Sequence, residues 1–122
     1  MANPNIVGVT IINGNNGSVA VTSTAQTLIN NAASSNKIFK VNQIYVSNVD
    51  GTDSDNVTVT LRSAVATTPT TATIAKNITI PAQATLEVLS APFYLKEDQD
   101  IQVVGVAASG DLEAVATWEE IS

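Results

Sequence analysis

"NVTVTLRS", residues 56–63, is the plainest alternation in the chain. Val57, Val59 and Leu61 fall on one parity, and Thr58, Thr60 and Arg62 on the other. In an extended strand successive side chains point to opposite faces, so this segment reads as a strand with one face in a core and the other in water. The residues leading into it, "NVDGTDSD" (48–55), place Asp50, Asp53 and Asp55 beside Gly51, which raises the question of a calcium loop. An EF-hand needs oxygen ligands at loop positions 1, 3 and 5, glycine at 6 and a bidentate glutamate at 12. Counted from Asp50, those places hold Thr52, Ser54, Asp55 and Leu61, and strands rather than helices flank them. The pattern fails. Asp53 and Asp55 remain as candidates for an irregular site, but Asp, Gly, Ser and Asn are also what a tight turn requires.

Working outward, "IFKVNQIYVSN" (38–48) carries Phe39 and Val41 on one parity but Ile44 and Val46 on the other. One register cannot bury both pairs, so a bulge near Asn42 or a strand covered on both faces is expected. On the other side, "AVATTPTTAT" (64–73) reads as an exposed loop around Pro69. "IAKNITIP" (74–81) follows as a strand with Ile74, Ile78 and Ile80 on one side, ended by Pro81. "ATLEVLS" (84–90) is a further strand burying Leu86 and Val88, and "PFYLKEDQD" (92–100) runs an apolar piece into a turn where Glu97, Asp98 and Asp100 are expected to be solvated. "IQVVGVA" (101–107) and "LEAVATWEEI" (112–121) flank "ASGD" as a closing hairpin. Near the start, "NIVGVTII" (5–12) and "SVAVT" (18–22) read as strands joined by the Asn-Gly turn "NGNNG" (13–17). "TAQTLINNAASSNK" (24–37) fits a short strand and loop better than a helical turn.

About eight short strands, with a turn every ten residues or so, specify an all-β chain: an antiparallel β-sandwich of jelly-roll type, residues 1–122 forming one domain. Pro4 restrains the residues around it to extended forms, so residues 1–5 are expected to project as an uncharged arm that docks on a neighbouring subunit, with Pro4, Ile6 and Val7 as interface candidates and Ile6, Val7, Ile11 and Ile12 as apolar anchors.

Composition narrows the chemistry. The chain has no histidine and no cysteine, which removes the commonest general base, the thiolate nucleophile and the usual zinc constellations. Glu119 and Glu120 are adjacent in a strand and face opposite ways, so they make no acid–base pair. No enzyme, cofactor or metal centre is expected. Net charge is −6, with five cations (Lys37, Lys40, Arg62, Lys76 and Lys96), a poor complement to phosphates, so nucleic acid is not an expected partner. Nor is a membrane, since the apolar runs are too short to span one, and "MANPNIVGV" lacks a basic segment followed by an apolar one. Charged residues make up 13% and apolar residues 44%. So little charge leaves apolar and hydroxyl-rich surface that one small domain cannot hide, and a homo-oligomer, with a trimer favoured, is expected. Tyr94 and Trp118 are the aromatic interface candidates; with the 64–73 loop they are also the candidate platform of a carbohydrate-binding module.

Three stretches resemble small virion proteins of tailed, particularly marine, bacteriophages: "NKIFKVNQIYVSNVDGTDSDNVTVTL" (36–61), "ITIPAQATLEVLSAPFYLKEDQDIQV" (78–103) and the terminal "ATWEEIS" (116–122). The resemblance runs from about Asn5 to the end, and its motifs are structural. It implies a β-sandwich made in the host cytoplasm and built into the virion, similar to head decoration (cement) proteins that bind the major capsid protein. Related sandwiches serve at the neck or tail, or as fibre-attachment adaptors. No family active site comes with it.

Overall fold

In the computed structural model, which describes residues 8, 10–106 and 111–122, the alternating segments become strands. Among the described residues these are β1 (Ile12–Val21), β2 (Gln26–Asn31), β3 (Ile38–Asn48), β4 (Asp55–Ser63), β5 (Thr70–Ile80), β6 (Thr85–Glu87), β7 (Phe93–Leu95), β8 (Gln99–Gly105) and β9 (Leu112–Ile121). Pairing is nested and antiparallel throughout: β1 with β9, β2 with β8, β3 with β6 and β7, and β4 with β5. Rolling up that nest brings β9 against β3 and β8 against β4. Two sheets result, ordered β1-β9-β3 with β6 and β7 along the free side of β3, and β2-β8-β4-β5. With β6 and β7 taken as two pieces of one interrupted strand, this is the eight-stranded jelly roll.

The core lies between the sheets. Val57 and Val59 of β4 meet Val41, Ile44 and Val46 of β3, all fully buried. Leu61, the third inward residue, is only partly covered because it lies at the open side of the sandwich. The bulge falls where parity demands it: the β3–β9 register shifts between Val41 and Gln43, and residues on either side of Asn42 then share the inner face. Opposite the bulge the neighbouring strand breaks, β6 pairing with Tyr45–Ser47 and β7 with Phe39–Val41. The Val88 N–H still donates to the Ile44 carbonyl at 2.8 Å across the gap.

Three expectations need correction. "NGNNG" is no turn but the first half of β1, paired residue for residue with β9 from Ile12 to Val21. Tertiary pairing overrides the local Asn-Gly preference, and Gly17 has its own reason to be there. A Cβ at Gly17 would come within 3.0 Å of Trp118 Cη2, so the indole packs on bare backbone. Of the proposed 5–12 strand, residues 5–7 and 9 lie outside the described residues, and regular pairing begins at Ile12.

Second, Thr70–Thr73 belongs to β5 and pairs with Thr60–Ser63 rather than looping. The strand is an exposed edge with little to bury, so its alternation carried no apolar mark. Third, β8 and β9 do not form a hairpin. β8 lies between β2 and β4 and β9 between β1 and β3, so the chain between them changes sheets. Hydropathy marks both strands but not which neighbour each one pairs with.

Candidate functional site

The aspartate loop is held by its own backbone. Asp50 Oδ1 accepts from the N–H groups of Thr52 (2.8 Å) and Asp53 (3.2 Å) and from the Thr52 hydroxyl (3.1 Å). The Thr52 N–H is the chief reason that the Asp50 carboxyl is held below its ordinary range. Underneath lies Asn48, almost fully buried, whose amide donates to the carbonyls of Asp53 (2.9 Å) and Ile80 (3.0 Å) and accepts from the Asp50 N–H. Of the two metal candidates, Asp53 is exposed and contributes a carbonyl to the turn, while Asp55 accepts from the Asn56 N–H at 2.7 Å. Among the described residues no three acidic side chains gather around a common point. The geometry is that of a capped inter-strand turn.

Asn31 repeats the device at the other end of the sandwich, donating to the Lys37 and Leu95 carbonyls at 2.9 and 3.1 Å. Neither asparagine stands out in the sequence, since a buried Asn at a strand end looks like any loop residue.

Tyr94 and Trp118 do not come together. Trp118 is 8% exposed and stacks on Phe39 inside the sandwich, ring centroids 6.1 Å apart and planes 20° from parallel. Tyr94 pairs with Lys40 on the outer face and is 45% exposed. As an interface or sugar-platform residue Trp118 is therefore corrected to a core residue, fixed there by the Gly17 gap and by small neighbours at Ala114 and Ala116. The other interface candidates, Pro4, Ile6 and Val7, lie outside the described residues.

The carboxylates have structural partners. Glu120 accepts from Asn15 Nδ2 (2.8 Å), Lys37 Nζ (3.0 Å) and Trp118 Nε1 (3.3 Å). The Asn15 bond chiefly, opposed by partial burial and joined by Lys37 and Trp118, holds its carboxyl below the ordinary range. Glu119 faces the other way, near Asn42. The expected solvated turn at 97–100 is wrong for Asp100, which is 2% exposed and takes a bidentate fork from Arg62, Nε–Oδ1 2.9 Å and Nη2–Oδ2 2.6 Å. Arg62 sits on the predicted outward face; its partner across the ladder could be found only from the register.

What remains is surface. By register, Val49, Ile78 and Val106 project near the end of the sandwich where β3 runs into β4, and Ile11, Ile12 and Tyr94 near the opposite end; all six are large, apolar and exposed. A cleft of about 390 Å³ opens on the side where β6 breaks from β7, walled by Leu61 and Ile74 of one sheet and Val88, Leu89 and Phe93 of the other. No titratable side chain lines it.

No family model matches this chain, and no curated protein does. Among solved structures it is similar to a chain from work described as "Bacillus endospore appendages form a novel family of disulfide-linked pili", with 18% identity over 99% of this chain and 94% of that one and a TM-score of 0.49. The fold itself, two packed antiparallel sheets without an α-helix among the described residues, defines the class: an all-β sandwich.

Proposed function

We propose that the protein is a structural component of a tailed-phage virion, a decoration protein that binds the outer shell of the head and braces it. The observation that carries this reading is the surface. On a chain with 13% charged residues, six large apolar side chains stand exposed at the two ends of a rigid jelly roll. The resemblance of residues 36–61, 78–103 and 116–122 to small virion proteins supports it. Those stretches supply most of β3 to β9, the framework rather than a reactive site.

The mechanism is mechanical. Each apolar side chain covered by the major capsid protein or by another copy gains roughly 25 cal/mol per Å² removed from water, and few charges must be desolvated at the contact. Repeated over a shell, such contacts oppose the outward pressure of packaged DNA. The uncharged segment 1–5 is assigned an attachment role on sequence grounds. A neck or tail adaptor would use the same surfaces in fewer copies. The carbohydrate-binding reading would rest on Tyr94 and the 64–73 segment without Trp118, which lies inside the core.

Reconstitution tests the proposal. Purified protein added to heads that lack it should bind and raise the temperature at which they release DNA. A chain missing residues 1–5 should fold normally and bind with lower occupancy. Heads that leave the intact protein in solution would overturn the reading, and selective binding on a glycan array would replace it.

A further inference from the structure

We propose that the outer edge of β1 is a self-association surface, where two copies pair antiparallel and join their β1-β9-β3 sheets into one. A sheet edge presents unpaired N–H and C=O groups and is open to another strand unless it is blunted. Among the described residues the two sheets have four edges, and three of them are blunted. β5 carries Lys76, a left-handed Asn77 (φ 52°) and two register shifts; β2 has six residues and a shift of its own; β6 and β7 have three residues each. β1 has none of these devices. It runs ten residues, "INGNNGSVAV", without a charge, a proline or a register shift.

The hydrogen-bond phase of that edge is fixed. Ile11 and Ser122 exchange both backbone bonds, at 3.0 and 2.9 Å, so odd-numbered residues of β1 face β9. Ile12, Gly14, Asn16, Ser18 and Ala20 therefore turn their N–H and C=O groups outward. The Asn16 N–H confirms the phase, since it is turned aside to Asn15 Oδ1 at 2.8 Å.

A second copy fits this edge better than another protein does, because the edge is self-complementary. Antiparallel pairing about a two-fold axis sets Asn16 opposite Asn16 of the second copy, Gly14 opposite Ser18 and Ile12 opposite Ala20. Every facing residue then presents outward groups, for roughly ten bonds across the seam, with Asn15 releasing the Asn16 N–H. No like charges meet there, although each chain carries a net −6. The two-fold covers Ile12, which is 60% exposed in the single chain, with the small Ala20. The association is independent of where the protein works, and it replaces the expected trimer with a dimer.

Sedimentation and light scattering at tens of micromolar should give twice the 12.6 kDa chain mass. Ser18→Pro removes an outward donor without touching the β1–β9 ladder, and Ser18→Lys places like charges on either side of the seam; each should give a monomer with an unchanged circular dichroism spectrum. Hydrogen exchange on the unaltered protein provides a reading that needs no variant: the Gly14, Ser18 and Ala20 amides should slow at least tenfold as concentration rises through the association. A monomer, a three-fold assembly, a dimer that survives both substitutions, or edge amides that exchange at the same rate at all concentrations would overturn the proposal.

Discussion

Asn48 and Asn31 each do with one amide what a loop cannot do for itself. Asn48→Ala leaves the carbonyls of Asp53 and Ile80 without their donor in a buried place. The loss should be about 2 kcal/mol of stability, read from the shift of the urea midpoint at constant slope. Gly17→Val drives a branched side chain into the Trp118 ring, already 3.0 Å from a Cβ, and should cost about 1–3 kcal/mol. Glu120 gives a pH prediction. Its folded-state carboxyl is held below the ordinary range, chiefly by Asn15, so its stabilising contribution is present above the unfolded-state value and is lost as pH falls through the folded one. Melting temperature should therefore fall below about pH 4, and Glu120→Gln should flatten part of that fall. An unchanged acid limb in the variant would contradict the assignment.

At the scale of elements, the bulge at Asn42 is the clearest device. Deleting Asn42 removes the register shift that lets Phe39 and Val41 share the inner face with Ile44 and Val46. One pair must then turn outward, with an expected loss of about 4 kcal/mol or more, seen as the disappearance of a cooperative unfolding transition. The 50–55 turn is closed by Asp50 and Asn48, so millimolar calcium should leave the melting temperature unchanged; a rise of several degrees would reveal a site there. Much of this level was legible in the chain, because period-two patterning at Val57, Val59 and Leu61 and the parity switch around Asn42 are local. The β1 edge was not, since "NGNNG" has turn chemistry and its strand is imposed by β9. The Arg62–Asp100 fork was hidden for the same reason: two residues 38 apart meet only once β4 and β8 are in register.

For the whole molecule, the nested pairing of a jelly roll explains why sequence neighbours such as β8 and β9 end in different sheets, with both ends of the sandwich built from loops. Those ends carry the exposed apolar residues on which the proposed attachment rests. Val106→Asp, at 66% exposure, should leave stability within about 0.5 kcal/mol while weakening binding to heads. The most direct test of the virion assignment is the number of copies of this chain per purified particle, measured by quantitative mass spectrometry against the major capsid protein. Hundreds of copies are expected, as a shell-covering protein requires. About a dozen would place the protein at the neck or tail, and its absence from the particle would contradict the account outright.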